Sequence, residues 1–443
     1  MMIKILKNLI FGKPELNLKE VFKTGGIPKY TFVSRNAIRL DILQTVKNKE
    51  RALLFLGYSK SGKTVYRKNL FSEEEFTTVI FRCNKKSQIS DLYNLIASEL
   101  KLGQIITTTD TSGIGHSTST SMTIKVPETF DTSTGVSAHA NYSYAKTEEH
   151  AKVRVDVNFL CNNIHDKEHL IIILEDYHLV NPEFNNILSE DLKHFIDEEI
   201  QFLLIGIPSA PNRALKNNPD LSGRLKHINF DYLTSNEVEE LIKKGVKHLN
   251  VEFSKEVIEE ICNASLKNAF LVQFICPKTL ELKGINSTLK KKIFITDTND
   301  IYEACKEIAK DLDNDYSAVY DVISSGVRRQ QDNKVYNQYE EVLKAIRKTS
   351  IEVLEKGVYY TDIATKTHKE FSDEEVAELI AAGRYKDKAS FKGAITNQVR
   401  QAVERIESTL EKGSARDIVL VQDMKIFVMD LIFKFYLNWK EEE

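Results

Sequence analysis

The chain has 443 residues, 42% hydrophobic and 28% charged, with a net charge of −3; this composition has room for two or three globular domains and excludes a disordered or fibrous chain. So small a charge excludes an overall basic field as the means of holding nucleic acid, leaving only a local basic surface for that purpose. Five cysteines in no CxxC or His-rich spacing argue against structural zinc and fit a reducing cytoplasm, and apolar runs such as 171–174 are far shorter than the ~20 residues of a membrane helix, so no membrane partner is expected.

In chain order, residues 1–11 read as an N-terminal amphipathic helix, since they lack the sustained apolar core and small-residue cleavage site of a signal peptide. Residues 30–103 alternate in a βαβα manner. A short apolar strand at 51–56 precedes a helix from Thr64, then a strand at 77–82 (TTVIFR) and a helix at 90–102 with apolar Leu92, Leu95, Ile96 and Leu100. Such alternation predicts a parallel sheet. It resumes with a helix at about 148–165, an apolar strand at 169–174, a helix near 184–198 and a strand at 201–207, and the near-continuous apolar runs predict strands covered on both faces.

The interruption, 104–145, is dense in Ser, Thr and Gly. Met122, Ile124 and Val126 alternate on one side of a Pro- and Gly-containing turn, and Val136, Ala138, Ala140, Tyr142 and Tyr144 on the other. Period two on both sides predicts an inserted β-hairpin; a low-complexity loop is the alternative. From 232 the pattern is helical through about 410. Helical stretches at 339–348, 361–369 and 391–410, followed by 418–421 and 423–439, resemble a winged helix-turn-helix.

Gly57-Tyr58-Ser59-Lys60-Ser61-Gly62-Lys63-Thr64 fits G-x-x-x-x-G-K-S/T between an apolar strand and a helix. Phosphate demands this arrangement: glycines let the backbone curl so that successive N–H groups point inward, and the following helix adds the positive end of its dipole. Lys63 is expected to reach the β and γ phosphates of ATP as a point charge, and the Thr64 hydroxyl to coordinate Mg²⁺. Gly57, Ser59, Lys60, Ser61, Gly62 and Val65 complete the expected nucleotide-binding set; a glycine-rich turn without nucleotide is the alternative. The apolar run 170–174 leads directly into Glu175-Asp176, so a buried strand delivers two carboxylates at its carboxyl end, where open α/β sheets bind ligands. The alternative is a solvated acid pair at a strand end.

These motifs resemble those of P-loop ATPases of the AAA+ and STAND kinds, replication-initiator-like ATPases among them, over residues 30–280. The resemblance implies that Glu175 serves the metal and Asp176 polarises water, while the order Glu-Asp, in place of the usual Asp-Glu, implies slow hydrolysis. His178 is reminiscent of STAND-type sequences, a structural histidine being the other reading. A polar sensor is implied at Ser209 or Asn212, both also ordinary turn residues. Arg224 stands where an arginine finger reaches a neighbouring subunit's nucleotide, a task suited to a permanently charged, multi-donor guanidinium; a surface arginine capping the sheet is the alternative. Thr234 with Glu237 signals a capping box at the start of a helical lid, and Lys267 matches a lid sensor poorly. Residues 30–35 resemble the segment that flanks adenine, with ordinary packing as the other reading.

The expected fold is therefore α/β: a P-loop NTPase parallel sheet flanked by helices, then a helical lid and a winged-helix-like C-terminal domain. The expected divisions are an N-terminal arm 1–29, an ATPase core 30–231 with its insertion at 104–145, a lid 232–300 and a helical domain 301–443. The expected function is an ATP- and Mg²⁺-dependent ATPase acting as an oligomerising switch or motor, with its own copies and either DNA or a protein, through 301–443, as partners. Helix 391–410 offers Lys392, Thr396, Asn397, Gln398 and Arg400 for DNA contact. Yet Lys392, Arg400, Arg405, Lys412 and Arg416 against Glu404, Glu407 and Glu411 give a net of only +2. The alternatives are a regulatory ATPase of bacterial antiphage defence that signals to an effector partner, and a non-hydrolysing nucleotide-binding scaffold.

Overall fold

The computed structural model describes residues 15–71, 75–102, 104–107, 122–125, 155–207, 221, 223–230, 232–325, 337–410 and 418–441. The chain forms two compact units, one of residues 36–56 and 68–228, the other of 1–35, 57–67 and 229–443.

A one-turn helix α1 (Leu18–Val21), capped reciprocally by Asn17 and Glu20, precedes α2 (Asn36–Asn48). Strand β1 (Ala52–Leu56) runs through the phosphate loop into α3 (Lys63–Leu70), followed by β2 (Thr77–Arg82) and α4 (Ile89–Glu99). Strands β3 (Gln104–Thr107) and β4 (Met122–Lys125) form a separate antiparallel pair with Ile105 opposite Ile124. The alternation then resumes with α5 (Val157–Asn163), β5 (Leu170–Glu175), a 3-10 turn at Tyr177–Leu179, α6 (Pro182–Asp197), β6 (Gln201–Gly206) and β7 (Leu225–Asn229). Asp156 and Asn181 start α5 and α6 by accepting from the Phe159 and Phe184 N–H groups.

These strands form one parallel sheet in the order β2-β5-β6-β1-β7, and strand composition explains the order. The apolar runs ALLFL, LIIILE and QFLLIG are buried at every residue and take the interior. TTVIFR and LKHIN mix polar with apolar residues and take the two edges, where side chains meet solvent. Leu92 and Ile96 of α4 and Leu188 and Phe195 of α6 complete this core. Within the insertion, the expected strand at 122–125 forms and pairs with 104–107, whose Ile-Ile-Thr run is itself suited to a strand. Residues 136–144, like 1–14, lie outside the described residues.

In the other unit, α7 (Ser235–His248) starts in the expected capping box, Thr234 accepting from the Glu237 N–H and Glu237 from the Thr234 N–H. Strand β8 (Val251–Phe253) pairs in parallel with β9 (Ile293–Ile295), and α8 (Lys255–Ala264) and α9 (Ala269–Leu282) lie between them in sequence. Next come α10 (Asn299–Asp311), α11 (Asp313–Ser325), α12 (Gln338–Lys348), α13 (Ile351–Lys356), β10 (Val358–Tyr359), α14 (Tyr360–Glu370), α15 (Asp373–Ala381) and α16 (Lys388–Leu410). Strands β11 (Val419–Gln422) and β12 (Lys425–Val428) join β10 in an antiparallel sheet ordered β10-β12-β11, and α17 (Leu431–Trp439) follows. Side chains from 232–300 and from 301–443 share one apolar core. Within it Lys434 donates to the Ile346 and Thr349 carbonyls at the end of α12, and burial pushes its ammonium down to about 8. Among the described residues no helix is long and apolar enough to cross a membrane.

Candidate functional site

Strand β1 releases the chain at the carboxyl edge of the sheet, and the loop that follows needs its two motif glycines for different reasons. A Cβ on Gly57 would lie 2.7 Å from Ser61 Oγ and 3.1 Å from both the carbonyl carbon and Cβ of Phe230. Gly62 has open space around it but a φ of +91°, a conformation that L side chains rarely adopt. Lys63 Nζ donates to the Gly57 and Tyr58 carbonyls at 2.6 and 2.7 Å and lies 3.3 Å from Ser61 Oγ, so its charge is held inside the loop. The first turn of α3 forms directly after it, with Tyr66 N donating to Gly62 O at 2.8 Å, and the opening N–H groups of a helix have no acceptors within that helix. Ser59, Lys60 and Thr64 are exposed, Val65 is half-buried and Ser61 is buried.

A cleft adjoins the loop at Ser61, Gly62 and Val65. Thr31, Phe32, Val33 and Arg35 line it, so the segment expected to flank adenine does adjoin the phosphate loop, whereas the Tyr30 ring packs at a tilt against His248. Tyr66 is fixed by its hydroxyl, which donates to Ser34 O at 2.9 Å, and its ring centroid lies 5.0 Å from that of Phe230. Arg35 donates to Tyr232 O and to Glu237 Oε1, at 3.2 and 3.3 Å, and its guanidinium lies over the Phe230 ring. Glu237 thus uses one oxygen for the capping box and the other for Arg35. Lys60 Nζ sits 4.9 Å from the Phe270 ring centroid. On α9, Gln273 Nε2 donates to Thr31 Oγ1 at 2.6 Å, while Gln273 Oε1 is buried with no hydrogen-bond partner among the described residues. Tyr66, Phe230 and Gln273 escape a reading of the sequence; the one available signal was a lone amide in the apolar run AFLVQFICP.

The acid pair lies in the other unit. Glu175 closes β5 at the same edge of the sheet at which Leu56 closes β1; it is buried, with its carboxylate 3.7 Å from Nε of the exposed Arg82. Asp176 is exposed and left-handed (φ +55°), and its carbonyl accepts from Leu179 N at 2.9 Å to start the 3-10 turn that contains His178. Cys83 cannot act as a neighbouring nucleophile, because burial, then the Asp176 carboxylate, pushes its thiol up to about 12.

Arg224 lies at the opposite edge of that sheet. Its carbonyl accepts from Ala52 N at the start of β1, and its guanidinium pairs with Asp197. A strand the length of β5 spans about 16 Å, so the structure brings the acids together with each other and not with Arg224 of the same chain. Lys267 sits in the turn before α9 with φ +56° and accepts from Leu233 N. Ser209 and Asn212 lie outside the described residues.

ATP and Mg²⁺ fit the donors present. Close backbone approach at Gly57, a positive-φ glycine at Gly62, a lysine inside the loop and an aromatic-walled cleft suit a nucleoside triphosphate. The Thr64 hydroxyl is a hard oxygen donor of the kind Mg²⁺ takes alongside phosphate and water. Among the described residues no three His, Cys, Asp or Glu side chains cluster as a metal cage.

No protein-family model matches the chain, and no curated protein matches it. Among solved structures it is similar to the Walker-type ATPase PABY2304 of Pyrococcus abyssi, at 11% identity and a TM-score of 0.49 over 94% of this chain and 99% of that one. It is similar to the Aeropyrum pernix Orc1 protein, solved in complex with DNA, at 11% identity and a TM-score of 0.41 over 96% and 97% of the two chains. It is also similar to the Thermotoga maritima RuvB Holliday junction branch migration motor, at 12% identity and a TM-score of 0.36 over 92% and 95%. At 11–12% identity each of these is a likeness of fold alone.

Proposed function

We propose that the chain binds ATP with Mg²⁺, hydrolyses it slowly, and works as a nucleotide-dependent switch assembled from its own copies. The observation that carries this reading is the geometry of residues 57–66: a crowded Gly57, a positive-φ Gly62 and an inward Lys63 beside a cleft walled by Phe32, Tyr66 and Phe230. The base occupies the cleft and the phosphates lie on the loop's N–H groups, where Lys63 exchanges the Gly57 and Tyr58 carbonyls for phosphate oxygens. Mg²⁺ supplies charge neutralisation to the phosphates. Thr64 and Glu175 are its protein ligands in this reading, and the exposed Asp176 takes the proton of the attacking water.

Arg224 acts on the nucleotide of a second copy. Its place at the far edge of its own sheet supports this, and its pair with the half-exposed Asp197 costs little to break. The C-terminal helices are proposed to dock a protein, an effector included, rather than DNA. The net charge of only +2 over 390–416 supports this.

Calorimetry of the full chain with ATP and Mg²⁺, together with sizing by light scattering, tests the reading. Wild type should bind ATP and assemble with it, and Lys63→Ala should lose about ten- to hundredfold in affinity through the lost charge-assisted hydrogen bonds. Equal affinity in the two proteins, or no binding by either, would overturn it. Tight binding without turnover would instead favour the scaffold, a reading supported by the short Asp176 side chain.

A further inference from the structure

We propose that Gln273 reads the exocyclic amino group of adenine, so that this site selects ATP over GTP; the inference rests on the nucleotide reading above.

Gln273 is an anomaly on its helix. It follows Leu271 and Val272 and precedes Ile275 and Cys276, all fully buried, and it is only 5% exposed itself. Burying a primary amide among apolar side chains is unfavourable unless its donors and acceptor are matched. Half of that requirement is met inside the fold: Nε2 donates to Thr31 Oγ1 at 2.6 Å, and Thr31 is 1% exposed. The other half is not met, because Oε1 has no hydrogen-bond partner among the described residues. An unmatched buried acceptor costs about 1–3 kcal/mol, which a fold retains where a ligand supplies the donor.

Both Gln273 and Thr31 line the cleft beside the phosphate loop. Thr31 engages Nε2, which leaves Oε1 as the unmatched atom of an amide that lines the cleft. An acceptor presented to the six-position of a purine distinguishes the two common bases: adenine carries an amino donor there, guanine a carbonyl acceptor. The one strongly charged wall residue, Arg35, is occupied by Glu237 and the Tyr232 carbonyl. Phe32, Tyr66 and Phe230 accept any flat base, so they contribute affinity without choice.

The test is the dissociation constant of the full chain for ATP, GTP and purine riboside triphosphate, which is ATP without the amino group, each with Mg²⁺. Wild type should bind purine riboside triphosphate about tenfold more weakly than ATP, and GTP more weakly still, because its carbonyl faces Oε1. Gln273→Leu, close in volume, should weaken ATP to the level of purine riboside triphosphate. Equal wild-type affinity for ATP and purine riboside triphosphate, a preference for GTP, or an unchanged ratio in Gln273→Leu overturns the proposal while the phosphate-loop reading stands. Failure of all three nucleotides to bind overturns both. The first comparison needs no variant, so a misfolded Gln273→Leu leaves the test decisive.

Discussion

Gly57→Ala is the sharpest probe of the loop, because the structure specifies what the added methyl group meets. Its carbon would sit 2.7 Å from Ser61 Oγ and 3.1 Å from two atoms of Phe230, where ordinary contact begins at 3.4 Å. The hydroxyl can turn aside only by leaving its 3.3 Å approach to Lys63 Nζ, and the Phe230 carbonyl carbon is backbone. Overpacking of this kind costs about 1–3 kcal/mol, and here it displaces the loop that presents N–H groups to phosphate. Urea unfolding followed by the single tryptophan suits the measurement, since Trp439 belongs to the same unit as the loop. The expected result is a lower midpoint at unchanged slope, with ATP affinity reduced further than stability. Ser61→Ala removes the nearest clash, so Gly57→Ala should cost about 1 kcal/mol less in that background. Gly62→Ala should cost about 1–2 kcal/mol through its dihedral angle, with no relief from Ser61→Ala. A Gly57→Ala chain as stable as wild type, or one indifferent to Ser61→Ala, would refute the crowding argument.

Two further predictions concern different parts of the molecule. Arg224→Ala and Glu175→Gln should each lower ATP turnover while retaining ATP binding, and an equimolar mixture should regain part of the lost rate, because hybrid contacts pair an intact acid with an intact arginine; a mixture no faster than its components would exclude action between copies. Lys434 titrates near 8 in the fold against an ordinary 10.5, burial being the main cause, opposed by Glu352 and assisted by Lys366. The unfolded chain therefore binds more protons between these values, so stability should rise with pH across about 8 to 10.5. That increment should be missing in Lys434→Met, and parallel denaturation profiles for the two proteins over that window would contradict it.

What the sequence made legible, and what it hid, divides according to the distance over which each feature is encoded. The phosphate loop, strands β1, β2, β5 and β6 and the capping box are local patterns and were readable, whereas the two- and three-residue strands β8, β9 and β10 interrupt a stretch that reads as helical throughout. Even the order of the sheet is latent in the strands, since ALLFL, LIIILE and QFLLIG can be buried on both faces and TTVIFR and LKHIN cannot. The pairing of 122–125 with 104–107 was not read, because alternation alone does not choose between neighbours. Glu237 shows the division within one side chain: its bond to Thr234 spans three residues and follows from a motif, while its bond to Arg35 spans 202 and follows from nothing local. Thr31 and Gln273 stand 242 residues apart, so the amide that faces the cleft carries no signal beyond its oddness in an apolar helix. In the proposed function, recognition of the phosphates is thus written in one short segment, whereas recognition of the base depends on a meeting of distant segments that only the folded chain creates.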